Sequence, residues 1–98
     1  MYQISKEGKN LHGNINISGS KSESNRLLIL RAYTSFFNIN NLSDSDDTKT
    51  MISSLKYDKE EINIGHAGTA MRFLTSYYSS ILNSSKILTG SSRMKERP

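Results

Sequence analysis

Three times along this chain an apolar stretch with strand-like spacing passes through a short polar turn into an apolar stretch with helical spacing. This repetition constrains the fold most, because strands and helices alternating in sequence order belong to layered α/β architectures. Ile15 and Ile17 alternate with Asn14 and Asn16, and after the turn Leu27, Leu28, Leu30 and Tyr33 follow at helical intervals. Ser20 and Glu23 form a Ser-x-x-Glu capping box, which predicts a helix from Lys21 to about Ser35. Asn38 to Leu42 reads as a second short strand. The run Ser43 to Asp47 then supplies caps and first-turn carboxylates for a helix whose stripe is Met51, Ile52 and Leu55. Ile62 and Ile64 mark a third strand, "GHAGT" turns, and Ala70, Phe73, Leu74, Tyr77 and Ile81 mark a third helix. A turn at Asn83 to Ser85, a last strand about Lys86 to Thr89 and a polar loop complete the order β-α-β-α-β-α-β.

Composition narrows the setting. With 98 residues the chain has the length of one small domain, and its hydrophobic fraction of 35% is low for a soluble domain even after its 6 Gly are added. Part of its packing surface is therefore expected to come from other chain. There is no Cys, so disulfides, thiolate metal sites and cysteine nucleophiles are excluded within this sequence. The first ten residues are polar, and the longest aliphatic run, Leu27 to Leu30, is far too short for a bilayer. A cytoplasmic protein is expected. The net charge of +4 favours anionic partners. Lys21, Arg26, Arg31, Lys49 and Arg72 stand singly, and only "RMKERP" is dense, a distribution that suits small-anion sites better than nucleic acid.

Two of the strand-to-helix turns are candidate anion sites, since the unpaired N–H groups and dipole of a helix start attract negative charge. In the first, Ser22 and Arg26 share a helix face and Lys21 projects from the first turn. In the second, Gly65 and Gly68 let a ligand approach the backbone, and Thr69 offers a hydroxyl. Each turn has a plain alternative: Ser20 and Glu23 are explained as a cap, and Gly-x-x-Gly turns are common before helices. Gly19 and Lys21 are separated by Ser20, so the first turn is not a Walker A loop. His12 and His66 lack ligand spacing, no metal site is expected, and Asp44, Asp46 and Asp47 read as helix caps. Arg72 reads as solvated or structurally paired.

Four segments in order, "GSKSESNR" (Gly19 to Arg26), "SDSDDTKTM" (Ser43 to Met51), "GHAGTAMRFL" (Gly65 to Leu74) and "LTGSSRMKERP" (Leu88 to Pro98), closely resemble the opening part of the 5-enolpyruvylshikimate-3-phosphate synthase family. The resemblance covers nearly the whole chain but only roughly the first quarter of such an enzyme. It implies an α/β fold of two domains built from repeated βαβαββ units. Residues 1–98 would be the N-terminal portion, with the first twenty or so expected to pair with strands of the second domain, and this length of chain alone is expected to be inactive and poorly folded.

The resemblance further implies transfer of the enolpyruvyl group of phosphoenolpyruvate to the 5-hydroxyl of shikimate 3-phosphate, through a tetrahedral intermediate with release of phosphate. No cofactor is implied, and the partners are the two small-molecule substrates, with no nucleic acid and no membrane; full-length members are expected to be monomers. Residue by residue, it implies that Lys21 contacts both substrates as the catalytic cation. Ser22 and Arg26 would hold shikimate 3-phosphate, while Gly68 and Arg97 would line the phosphoenolpyruvate site. Thr69 is a further pocket residue or a cap. The acid and base carboxylates of the family lie in later segments. His66 stands where the family usually has Asn, Phe73 replaces a frequent Pro, and the stretch between Leu55 and Gly65 is short. Two other readings are a sister transferase acting on UDP-N-acetylglucosamine and a non-catalytic basic module that binds a polyanion. Ser22 after the lysine and the absence of Cys count against the first.

Overall fold

The computed structural model describes residues 1–8 and 10–98. Its elements are α1 (Lys21–Thr34), α2 (Asp46–Lys56), β1 (Glu61–Asn63), α3 (Gly68–Ser80), β2 (Ile87–Thr89) and α4 (Ser92–Lys95). The two strands are parallel, with Ile62 opposite Leu88, and α3 is the crossover between them. The result is a small mixed α/β unit. Among the described residues no helix is long and apolar enough to cross a membrane.

Helices α1 and α2 begin where their caps direct. Ser20 accepts from the Glu23 N–H, and Ser35, in the left-handed region at φ 56°, ends α1 while its N–H donates to the Arg31 carbonyl. Ser45 caps α2 by accepting from the Thr48 N–H. Helix α3 starts after Ala67, which has no side-chain acceptor. The apolar stripes meet in a core of Leu28, Met51, Ile62, Ile64, Ala67, Ala70 and Leu74.

Two expected strands do not form. Ile15 and Ile17 are 86% and 79% exposed and belong to no sheet, because a strand needs hydrogen-bonding neighbours and none among the described residues lies beside them. The Asn38 to Leu42 segment also stays irregular. Asn41 takes φ 55°, which interrupts extended backbone, while Ile39 and Leu42 still pack against the core. Smaller corrections follow: Ile81 is the C-cap of α3 and not a helical residue, and the expected loop after β2 contains α4, capped by Ser91 on the Met94 N–H. On α1, Leu30 and Tyr33 are each 53% exposed, whereas Ser24 and Asn25 are buried beside Leu28.

The missing strands leave apolar surface uncovered. The chain exposes 8098 Å², well above the roughly 5,600 Å² of a compact protein of its mass, and its radius of gyration is 18.1 Å against about 12.6 Å for a compact domain. Much of the excess lies before α1, where Tyr2, Ile4, Leu11, Ile15 and Ile17 face solvent.

Candidate functional site

The start of α1 is locked to the start of α2 by buried polar contacts. The Ser43 N–H donates to Ser24 Oγ at 2.9 Å, and Thr48 Oγ1 donates to Asn25 Oδ1 at 2.9 Å. Thr48 Oγ1 also lies 3.0 Å from Ser45 Oγ, the residue that caps α2. Ser24, Asn25, Ser43 and Thr48 are all buried, so these bonds are shielded from water. Asn25 Nδ2 is the one buried side-chain polar atom without a partner among the described residues.

Gly19 adds a backbone contact to this lock. A Cβ there would collide with the Asn41 carbonyl oxygen and come within 3.3 Å of the Leu42 carbonyl carbon, so only glycine lets the turn before α1 lie against the chain leading to α2. Lys21, Ser22 and Arg26 emerge from this anchored end, all exposed. Arg26 folds back along the helix, and its Nη1 donates to the Ser22 carbonyl at 3.3 Å. Three exposed polar side chains thus stand on a rigid, positively polarised helix start. Their base is fixed, and the Arg26 tip is engaged through its bond to the Ser22 carbonyl.

The second predicted pair comes together through tertiary structure. Gly68 is the first residue of α3, and a Cβ there would sit 2.5 Å from Arg97 Nη1. The guanidinium therefore lies over the helix start, at a place open because residue 68 has no side chain. The two residues line an open cleft of ≈ 550 Å³ together with Met71, Arg72, Met94 and Lys95. Arg97 is held there by α4, where its N–H donates to the Met94 carbonyl at 3.2 Å and Met94 is buried. Thr69 occupies the second position of α3, half-buried.

An anion in this cleft would meet the forked donors of Arg97 and the first-turn N–H groups of α3, which receive no cap from Ala67. That arrangement suits a carboxylate or a phosphate. Among the described residues no three of His, Cys, Asp and Glu gather closely enough to hold a metal ion. Arg26 bonds the Ser22 backbone carbonyl, and Arg97 occupies the space that a side chain on residue 68 would fill. Sequence reasoning missed the roles of Gly19, Ser24, Asn25 and Thr48. For Gly19 the signal is a glycine before a capped helix; for the buried polar residues only the partner helix reveals it.

The profile of the family described as EPSP synthase (3-phosphoshikimate 1-carboxyvinyltransferase) matches residues 5–57. A 3-phosphoshikimate 1-carboxyvinyltransferase of Bacteroides fragilis is 49% identical over 85 residues, covering 86% of this chain and 20% of the relative. The enzyme of the same name from Hamiltonella defensa is 36% identical over 115 residues, covering 90% of this chain and 27% of its own length. A pentafunctional AROM polypeptide of Candida tropicalis is 39% identical over 111 residues, covering 82% of this chain and 7% of its own. The chain thus spans about a fifth to a quarter of the length of the first two. No solved structure matches it.

Proposed function

Because this chain belongs to the EPSP synthase family, we propose that it supplies part of the site at which the enolpyruvyl group of phosphoenolpyruvate passes to the 5-hydroxyl of shikimate 3-phosphate. The observation that carries the reading is the Arg97 guanidinium lying over Gly68 at the start of α3. An oriented fork above uncapped N–H groups is a receptor for one end of a small dianion, and phosphoenolpyruvate offers a phosphate and a carboxylate.

In this reading Lys21 lies between the two substrates. Its ammonium offsets the repulsion of two polyanions and the charge that develops as the tetrahedral intermediate forms and phosphate leaves. Ser22 and Arg26 hold shikimate 3-phosphate; Gly68, Thr69 and Arg97 hold phosphoenolpyruvate. The lock between α1 and α2 supports this assignment, because it fixes the base of Lys21, Ser22 and Arg26 without using their tips. The carboxylates that move protons, and further cations, are proposed to come from outside this stretch.

Residues 1–98 are then the N-terminal portion of a two-domain enzyme of repeated βαβαββ units, and the segment before α1 adds strands to the other domain. The exposure of Tyr2, Ile4, Ile15 and Ile17, with their strand-like alternation, supports this placement. A monomeric cytoplasmic enzyme of the shikimate pathway, with no nucleic acid or membrane as partner, belongs to the same reading. The test is a hybrid enzyme in which residues 1–98 replace the matching stretch of the Bacteroides fragilis relative. Phosphate release that requires both substrates is expected, and a well-folded hybrid without turnover would contradict the reading.

A further inference from the structure

Asn25 stands one helical turn behind Lys21, on the side of α1 that meets α2. At about 3.6 residues per turn, Lys21, Ser24, Asn25 and Leu28 share one face, whereas Ser22 and Arg26 lie about 100° or more round from Lys21. Ser24, Asn25 and Leu28 are buried, and the same face comes out to solvent at Lys21, where the helix begins. The Cα–Cβ bond of a helical residue tilts toward the helix N-terminus, which brings the base of the Asn25 side chain under the turn that carries Lys21.

Two hydrogen bonds hold this face, one on each side of the line through Lys21. On one side Asn25 Oδ1 accepts from Thr48 Oγ1 at 2.9 Å, and on the other Ser24 Oγ accepts from the Ser43 N–H at 2.9 Å. Asn25 and Thr48 are each 0% exposed, so water cannot take over their bond. Thr48 Oγ1 in turn lies 3.0 Å from the Oγ of Ser45, the cap of α2. The Asn25 amide is costly as mere filling, because its Nδ2 is buried with no partner among the described residues. Two apolar side chains of the same shape would hold the helices about as well. What the amide adds is direction, since a hydrogen bond restricts both distance and angle.

We propose that Asn25, through its bond to Thr48, is a positioning residue for Lys21. It sets the rotation of α1 against α2, and with it the place of the Lys21 ammonium. The inference rests on the role proposed above for Lys21. Turnover is sensitive to misplacements of about 1 Å, and Lys21 has to sit between two substrates. Arg26 points away from α2 on a long exposed side chain, which can follow a bound phosphate when the helix shifts.

Steady-state kinetics of the hybrid enzyme provide the test, at a temperature where thermal melts show each assayed variant folded. Thr48→Val removes the donor and keeps the side-chain shape, Asn25→Ala removes the acceptor, and Thr48→Ser keeps the hydroxyl. The expected result is a kcat about tenfold lower in Thr48→Val and Asn25→Ala, with KM for shikimate 3-phosphate nearly unchanged. Thr48→Ser should return kcat to within about twofold of the unmodified hybrid. Ile52→Val, which thins the packing of α2 against the core, should lower the melting temperature and leave kcat as it was. If Asn25→Ala does not fold, the two Thr48 variants carry the test. A kcat unchanged in Thr48→Val, lowered as much by Ile52→Val, or not restored in Thr48→Ser overturns the positioning role and leaves the proposed function standing. An unmodified hybrid that folds without turnover overturns the proposed function and the inference together.

Discussion

Arg97 lies across the start of α3 so closely that a Cβ on residue 68 would approach its Nη1 to 2.5 Å. Gly68→Ala should therefore displace the guanidinium without disturbing the helix, since alanine is the better helix former by up to about 1 kcal/mol. In the hybrid enzyme, KM for phosphoenolpyruvate is expected to rise about tenfold, the equivalent of about 1.4 kcal/mol, with KM for shikimate 3-phosphate nearly unchanged. Steady-state kinetics with each substrate varied in turn, beside a thermal melt, checks this. Equal rises in both constants, or a lowered melting temperature, would count against the arrangement.

Thr48 and Asn25 join α1 to α2 through a buried hydrogen bond of 2.9 Å. Thr48→Val keeps the shape of the side chain and removes the donor, which leaves Asn25 Oδ1 unpaired beside an Nδ2 that already lacks a partner. A loss of about 1–3 kcal/mol in stability is expected. Denaturant unfolding of the hybrid provides the measurement. A neutral effect would mean that the two helices are held together by their apolar contacts alone.

Gly19 rests against the backbone of Asn41 and Leu42, where no flexible side chain can give way. Gly19→Ala should cost about 1–3 kcal/mol by forcing the two segments apart. It should also weaken shikimate 3-phosphate binding, because Lys21, Ser22 and Arg26 follow directly from that turn. Ser18→Ala, one residue earlier and exposed, removes only a long 3.5 Å bond to the Gly19 carbonyl and is the control that leaves both quantities nearly unchanged.

Burial raises the ionisation of the Tyr78 hydroxyl above its ordinary 10.0, and the neighbouring Tyr77 adds to the effect. Tyr78 donates to the Ser54 carbonyl at 3.0 Å, a bond that only the neutral phenol can make. A pKa raised on folding contributes stability that is fully present below the unfolded value and is lost as pH climbs through the folded one. Melting temperatures should therefore fall more steeply above about pH 10 in the unmodified protein than in Tyr78→Phe. Parallel curves for the two would show that this hydroxyl does not govern alkaline stability.

Much of this architecture was legible in the chain. Ser20 with Glu23 located the start of α1, the helical spacing from Ala70 located α3, which begins two residues earlier at Gly68, and Ile62 and Leu88 lie in the two strands that pair. The failures share one physical cause, since strand patterns state a capacity that only a neighbour can realise. Ile15 and Ile17 alternate correctly yet have no strand beside them among the described residues, and Asn41 turns out of the extended region within a stretch that reads as strand. The stripe on α1 misled for a related reason. Leu30 and Tyr33 remain half-exposed, while Ser24 and Asn25 are buried because Ser43, just before α2, and Thr48, within it, bond them. At the proposed site, Lys21, Ser22 and Gly68 were readable as residue types at helix starts. The pairing of Gly68 with Arg97, which spans α3, β2 and α4, was implied by the family resemblance and is not given by residue spacing.

The most direct measurement is the turnover of the hybrid enzyme carrying Lys21→Met or Arg26→Ala, both exposed positions whose replacement spares the core. Lys21→Met should lower kcat by about a hundredfold or more, as loss of a charge that stabilises the transition state does, while Arg26→Ala should chiefly raise KM for shikimate 3-phosphate. Near-normal kcat and KM in both variants would contradict the assignment of this helix start to the substrates.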